Sequence, residues 1–184
     1  MPLSEIDVRL IRELRNSSVL QDVADDRLQQ ANGVILVVCG DGDEIPELLE
    51  FVKLRLNSQG LPARTHLIAL NGGALRIPRN SPVNSWNEGE MVLQEIRDAM
   101  VLKGIRTVNI YAHAPCGKAR VAGFSIIRVV EVLLDAGERI RREIRDCNVA
   151  SFLHIDRGDR RTYYVSEKAW CAWHQNPVLT VPVT

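Results

Sequence analysis

Short apolar runs alternate with amphipathic stretches along most of this 184-residue chain. Val34–Val38 is apolar throughout, the pattern of a strand buried on both faces. Thr65–Leu70, Val108–Ala112 and Ala150–Ile155 predict further strands. Arg161–Val165 predicts another, folding back on its predecessor as a hairpin at a sheet edge. Between these runs the apolar spacing becomes helical. Ile6, Leu10, Ile11, Leu14 and Val19 predict an amphipathic N-terminal helix, its stripe packed on the body or on a partner subunit. Leu48, Leu49, Val52 and Leu56 predict a helix that starts near Pro46, where a missing N–H costs nothing, and ends at Gly60 and Pro62. Met91, Val92, Ile96, Met100 and Val101 predict a helix over Glu88–Lys103, with Gly104 as its stop. Helical spacing returns from Ala119 to Arg145, with a mild interruption at Gly123 and a bend near Gly137. Gln21–Asn32 is very polar and is expected to be helical or turn-like. Leu75–Trp86, broken by Pro78, Asn80, Pro82 and Asn84, is expected to be an irregular loop. Beyond Ser166, the side chains of Trp170, Trp173 and His174 predict a docked tail.

Strand–helix alternation of this kind predicts an α/β fold, a mostly parallel central sheet flanked by helices on both faces. A chain of this length buries a substantial core without covalent staples. We divide it as one domain: a helical arm over residues 1–32, a core over 33–165 and a tail over 166–184. The 23 basic and 23 acidic side chains balance, which argues against a dedicated nucleic-acid binder or a polybasic membrane surface. Met1–Asp7 lacks a basic region followed by a long apolar run, and no apolar stretch approaches the ~18 residues of a membrane span. Four cysteines in a chain this long do not make a disulfide framework, so a reducing, cytoplasmic setting is expected.

Parallel sheets place their sites beyond the carboxyl ends of the strands. Cys39, Asn71, His113 and Cys116 all fall there. Two thiolates and one imidazole on neighbouring strand ends would hold zinc with a position left for chemistry. Soft thiolates with a borderline imidazole suit zinc, whereas magnesium and calcium prefer oxygen. The plainer alternatives are small buried cysteines and a hydrogen-bonded loop histidine. Cys171 and His174 share a two-residue spacing but lack a second pair apart from Cys147. His66 and His154 are expected to be structural. Arg139, Arg141, Arg142 and Arg145 alternate with Glu138, Glu143 and Asp146, the pattern of a solvated helical face. Arg157–Gly158–Asp159–Arg160 is a turn. Gly40–Asp41–Gly42 lacks the spacing of a phosphate loop, and its acids would repel phosphate.

The same residues carry a family resemblance. Cys39–Gly40–Asp41 followed by His113–Ala114–Pro115–Cys116–Gly117, with Asn71–Gly72–Gly73 between, resembles the β-class carbonic anhydrases over roughly Val34–Ala150. The resemblance implies a zinc site of Cys39, His113 and Cys116, and hydration of carbon dioxide to bicarbonate and a proton through zinc-bound hydroxide. Asp41 would orient that hydroxide as the catalytic residue. It also implies a homodimer or higher homo-oligomer with the site near the subunit interface. One departure matters: the family's Cys-x-Asp-x-Arg motif has Asp43 in place of its Arg. In the family that Arg holds the aspartate off the metal. Two arrangements follow. Asp41 completes a four-ligand closed site, which is the leading expectation, or a cation from outside the motif (Arg76, Arg79, Lys118 or Arg120) takes over. Asp43 is itself expected to be a solvated loop acid or a helix N-cap. The alternative functions are a non-catalytic zinc protein and a hydrolase or lyase acting on another small electrophile such as carbon disulfide.

Overall fold

The computed structural model describes residues 3–24, 33–58, 60, 64–158 and 160–175. In chain order the elements are α1 (Glu5–Asn16), β1 (Leu20–Asp22), β2 (Val34–Val38), α2 (Ile45–Ser58), β3 (Thr65–Ala69), a 3-10 turn (Gly73–Arg76), α3 (Glu88–Lys103) and β4 (Thr107–Ala114). Then come α4 (Gly117–Val121), α5 (Ile126–Glu143), β5 (Asn148–Asp156), β6 (Arg160–Val165) and α6 (Glu167–Gln175). The sheet order is β1-β6-β5-β4-β2-β3. Strands β3, β2, β4 and β5 run parallel, and β6 and β1 antiparallel. Among the described residues, no helix is long and apolar enough to cross a membrane.

The all-apolar run of β2 is explained by its place between β3 and β4, with both faces covered. Val34, Leu36 and Val38 pack under Leu48, Val52 and Leu56 of α2, together with Tyr111 and Phe152. Ile35 and Val37 face the larger core built by α1, α3 and α5. Helices therefore cover both faces, as the alternation predicts.

Ser4 caps α1 by accepting the Asp7 N–H at 3.1 Å. Ile11 and Leu14 are fully buried in the core of their own chain, each contributing ~2 kcal/mol by leaving water. The inner part of the α1 stripe thus packs on the body, while Ile6 at its start is exposed. Gln21 and Asp22 are extended, contrary to the expected helix or turn, because they continue β1, whose Leu20 pairs with Val165 and is buried. The rest of that expectation, over residues 25–32, lies outside the described residues, as do Pro62 and Asp159. β5 and β6 form the predicted hairpin, but β1 lies outside β6, so β6 is not the sheet edge.

The helical stretch after Cys116 is two helices. Gly123 takes φ +70° and Ser125 caps α5 by accepting the Arg128 N–H at 3.3 Å, so the chain breaks there. At Gly137, where a bend is expected, α5 continues unbroken as helix. A side chain at Gly137 would stand 3.1 Å from Ser151 Oγ, so this glycine allows close helix–sheet packing. Arg139 also departs from expectation. It is 3% exposed, donates to the Ile77 carbonyl and Glu90, and pairs with Glu143 at 2.9 Å. Gly89 makes room for it, since a Cβ there would stand 2.8 Å from its Nη1. In the tail, Trp170 is buried and Trp173 donates to Glu13 at 3.1 Å, the predicted docking.

Candidate metal centre

The carboxyl ends of β2, β3 and β4 build one site. Cys39 follows β2 directly, and β4 is the neighbour of β2. His113 lies inside β4, which runs two residues further than its apolar run, and it pairs in register with His154 of β5. Cys116 precedes the first turn of α4, after a cis Ala114–Pro115 peptide. The ligand atoms of Cys39, His113 and Cys116 lie within 4.8 Å of one another, and among the described residues no other histidine, cysteine, aspartate or glutamate joins the group.

The turn after β3 holds Cys39 in place. Gly72 takes φ +91° and its N–H donates to Cys39 Sγ at 3.2 Å. Gly73 takes φ +48° and lies against the Val38–Cys39 peptide, where a Cβ would come within 2.6 Å of the Cys39 nitrogen. Asn71–Gly72–Gly73 therefore shapes the backbone around the thiol. Arg76 secures this turn from below by donating to the Asn71 carbonyl while paired with Glu88.

Chemically the cluster is incomplete on its own. His113 is 4% exposed, yet neither ring nitrogen has a hydrogen-bond partner. Buried polar atoms in native proteins are nearly always partnered, so this orphaned imidazole between two free thiols fits an ion. The two thiols interact, so one proton leaves readily and the other is held. Hydrogen bonding from Cys39, with help from the nearby charge of His113 and from the Ala119 N–H, puts the thiolate on Cys116. Cys39 is pushed up by that same contact and by burial. Burial pushes His113 down, but the Cys116 thiolate more than reverses this and leaves it raised. Metal binding would displace these protons.

Asp41 lines a cavity of about 360 Å³ beside the triad. Its Oδ1 accepts the Asp43 N–H at 3.1 Å. Of the four cations expected near it, Arg76 is committed to Glu88, and Arg79 to Glu90 and Glu143. The stem of Lys118 packs against Gly72, and Arg120 lines the cavity with Asp41. A fifth cation escaped the sequence. Arg160, at the start of β6, donates to the Asp43 carbonyl at 3.1 Å and pairs with Glu47 at 2.8 Å. Glu44 also escaped, because nothing separates it in sequence from the exposed acids around it. It is 6% exposed, and its Oε2 lies 2.8 Å from His154 Nε2, though off the line of a hydrogen bond. Burial raises Glu44 and lowers His154, drawing both toward neutrality. His154 Nδ1 lies 2.9 Å from Thr162 Oγ1. Cys171 is exposed, His174 stacks on Trp170, and Cys147 donates to the Ile144 carbonyl at 3.4 Å.

No family model and no curated protein matches this chain in sequence. Solved structures do match in shape. A variant of CafD, a β-carbonic anhydrase of the fungus Aspergillus fumigatus, superposes with a TM-score of 0.50 at 15% identity, over 80% of this chain and 99% of that one. The chain has the β-carbonic-anhydrase fold. A carbonic anhydrase from Streptococcus mutans covers 90% of this chain and 100% of its own at 15% identity, with a TM-score of 0.45. Within this β-carbonic-anhydrase-like frame, a Cys-His-Cys triad sits at the strand ends and Asp43 stands two residues after Asp41.

Proposed function

We propose that this chain is a zinc-dependent hydratase that interconverts carbon dioxide and water with bicarbonate and a proton. Cys39, His113 and Cys116 are its metal ligands. The observation that carries this reading is the buried His113 ring, unpartnered at both nitrogens and set between two free thiols. Thiolate-rich donor sets of this kind select zinc over harder cations. Zinc bound there supplies a nucleophile at neutral pH by acidifying water.

The chain's own groups do the rest. Asp41 accepts a hydrogen bond from the attacking water and aims its lone pair at carbon. The Asp43 N–H already engages Asp41 Oδ1, and Arg160 braces the same loop through the Asp43 carbonyl. This supports an open site in which backbone and a distant arginine replace the motif's missing cation. Ala119, Phe124 and Val129 give the cavity an apolar wall suited to an apolar gas.

A second reading is favoured by Asp43 itself. An anion in place of a cation disfavours forming hydroxide and leaves Asp41 without a charge partner in the motif. In that reading Asp41 closes the metal site and the zinc only braces the fold.

Stopped-flow hydration of carbon dioxide by zinc-loaded protein across about pH 6–9.5 tests this, because that window brackets the pKa near 7 of zinc-bound water. The hydratase reading expects turnover that vanishes on chelation and returns with zinc. One tightly held zinc with no turnover anywhere in the window would establish the second reading.

A further inference from the structure

A metal takes one nitrogen of an imidazole, and the other then carries a proton that needs an acceptor. Both ring nitrogens of His113 are buried and neither has a hydrogen bond, so no backbone carbonyl holds this ring. The same buried region contains an acceptor with spare capacity. Glu44 is 6% exposed, and its Oε2 is buried without a hydrogen bond. The chain brings the two side chains to one place through three elements. After Cys39 the loop closes as the Glu44 and Ile45 N–H groups both donate to the Asp41 carbonyl at 3.2 Å, and α2 begins. Asp43 stays exposed on this loop while Glu44 is buried. His154 of β5 stands in register beside His113 of β4, so both rings rise from one face of the sheet on strands roughly 4.8 Å apart. Glu44 Oε2 lies 2.8 Å from His154 Nε2, and among the charges around Glu44 that of His113 acts on it most strongly. Thr162 Oγ1 holds His154 from its other side, 2.9 Å from Nδ1.

We infer that Glu44 is a positioning residue of the metal centre: it accepts the His113 N–H that the metal does not use, and so fixes the tautomer and direction of the ring. The inference rests on His113 as a metal ligand, as in the hydratase reading, and not on carbon dioxide as the substrate. Glu44 touches neither metal nor substrate and acts through His113. A carboxyl group has two oxygens, so it can serve His113 while it stays beside His154. Acceptance needs only an oxygen lone pair, which a carboxylic acid, its anion and an amide all supply. An acceptor at this place also raises the basicity of the imidazole and tightens its hold on the metal. Cys39, Asp41 and Glu44 share one loop, which thus delivers a ligand, the acid that orients water and the support for a second ligand.

The experiment compares wild type, Glu44→Gln and Glu44→Leu. Zinc affinity is measured by competition with a chelator, and the His113 side-chain N–H of the zinc-loaded protein is followed by heteronuclear NMR of isotope-labelled histidine. Leucine removes the acceptor and should weaken zinc binding by about 10–100-fold, the usual effect of losing the partner of a ligating histidine. Glutamine keeps a carbonyl oxygen and should hold zinc nearly as tightly as wild type. In the wild type the His113 N–H should lie downfield and exchange slowly with water, and in Glu44→Gln its shift should move because its acceptor has changed. A merely structural Glu44 would alter unfolding but neither zinc affinity nor this signal. If Glu44→Leu does not fold, the wild-type and Glu44→Gln spectra decide. Equal zinc affinity in Glu44→Leu and wild type, or a His113 N–H unmoved in Glu44→Gln, would overturn the inference and leave the hydratase reading standing. The expected pattern in a protein that does not hydrate carbon dioxide would uphold the inference while that reading falls. A wild-type protein that binds no zinc would overturn both.

Discussion

Two clusters of buried ionisable side chains, around Arg139 and around His113, differ in how fully they satisfy themselves. Around Arg139 every charge has a protein partner. Its guanidinium reaches Glu90, Glu143 and the Ile77 carbonyl, and Arg79 flanks both carboxylates at 3.2 and 3.4 Å. Around His113 the same depth of burial leaves an imidazole with no hydrogen bond and two thiols with no disulfide. The first cluster is complete as protein and carries no argument for a ligand. The second is incomplete as protein, and an ion that takes one nitrogen and two sulfurs completes it. Burial of charge is thus no guide to function by itself; the unmet valence is.

The largest expected effect lies in the incomplete cluster. Structural zinc sites bind with about 10–16 kcal/mol, so losing one of a handful of ligands removes roughly 3 kcal/mol, more than a hundredfold in zinc affinity. Cys39→Ser and His113→Ala should each show this in competition with a fluorescent chelator. Both should still fold without metal. Equal zinc affinity in either variant and the wild type would erase the contrast between the clusters.

The complete cluster should respond in the opposite way. Arg139→Ala leaves Glu90 and Glu143 only their more exposed arginine partners and strands a buried carbonyl, and it should cost about 3 kcal/mol in urea unfolding with zinc content unchanged. A loss of zinc in this variant would show that the two clusters are not independent.

A smaller effect sharpens the same comparison through pH. The hydrogen bond from Arg139 holds the Glu143 carboxyl below its ordinary value of 4.5. A lowered folded-state pKa contributes stability that is present above the ordinary value and is lost as pH falls through the folded one. The stability gap between wild type and Arg139→Ala should therefore stay level above pH 4.5 and narrow below it. A gap that persists undiminished into stronger acid would mean that packing of the arginine stem, and not its ion pairs, carries the effect.

What could be foreseen from sequence follows from how local each signal is. β2, the full extent of α3 and the three ligand candidates were legible, because an unbroken apolar run, helical apolar spacing with a glycine stop, and a His-x-x-Cys pair and a cysteine each just past such a run are local signals. β1 was not, since three residues with one apolar side chain become a strand only by pairing with β6, which lies more than a hundred residues away. The two helices after Cys116 merged in the sequence because only the positive φ at Gly123 and the cap at Ser125 separate them. Arg139 stood in a run of alternating charges, and only Gly89 on another helix marks the space that buries it. Arg160 and Glu44 reach the site through tertiary contacts that no spacing encodes.

The most direct test of the central claim is X-ray absorption at the zinc edge on purified, zinc-loaded protein. Two sulfurs at about 2.3 Å, one imidazole nitrogen at about 2.0–2.1 Å and one further oxygen donor are the predicted shell. A shell with no sulfur, or protein that retains no zinc at all, would contradict it.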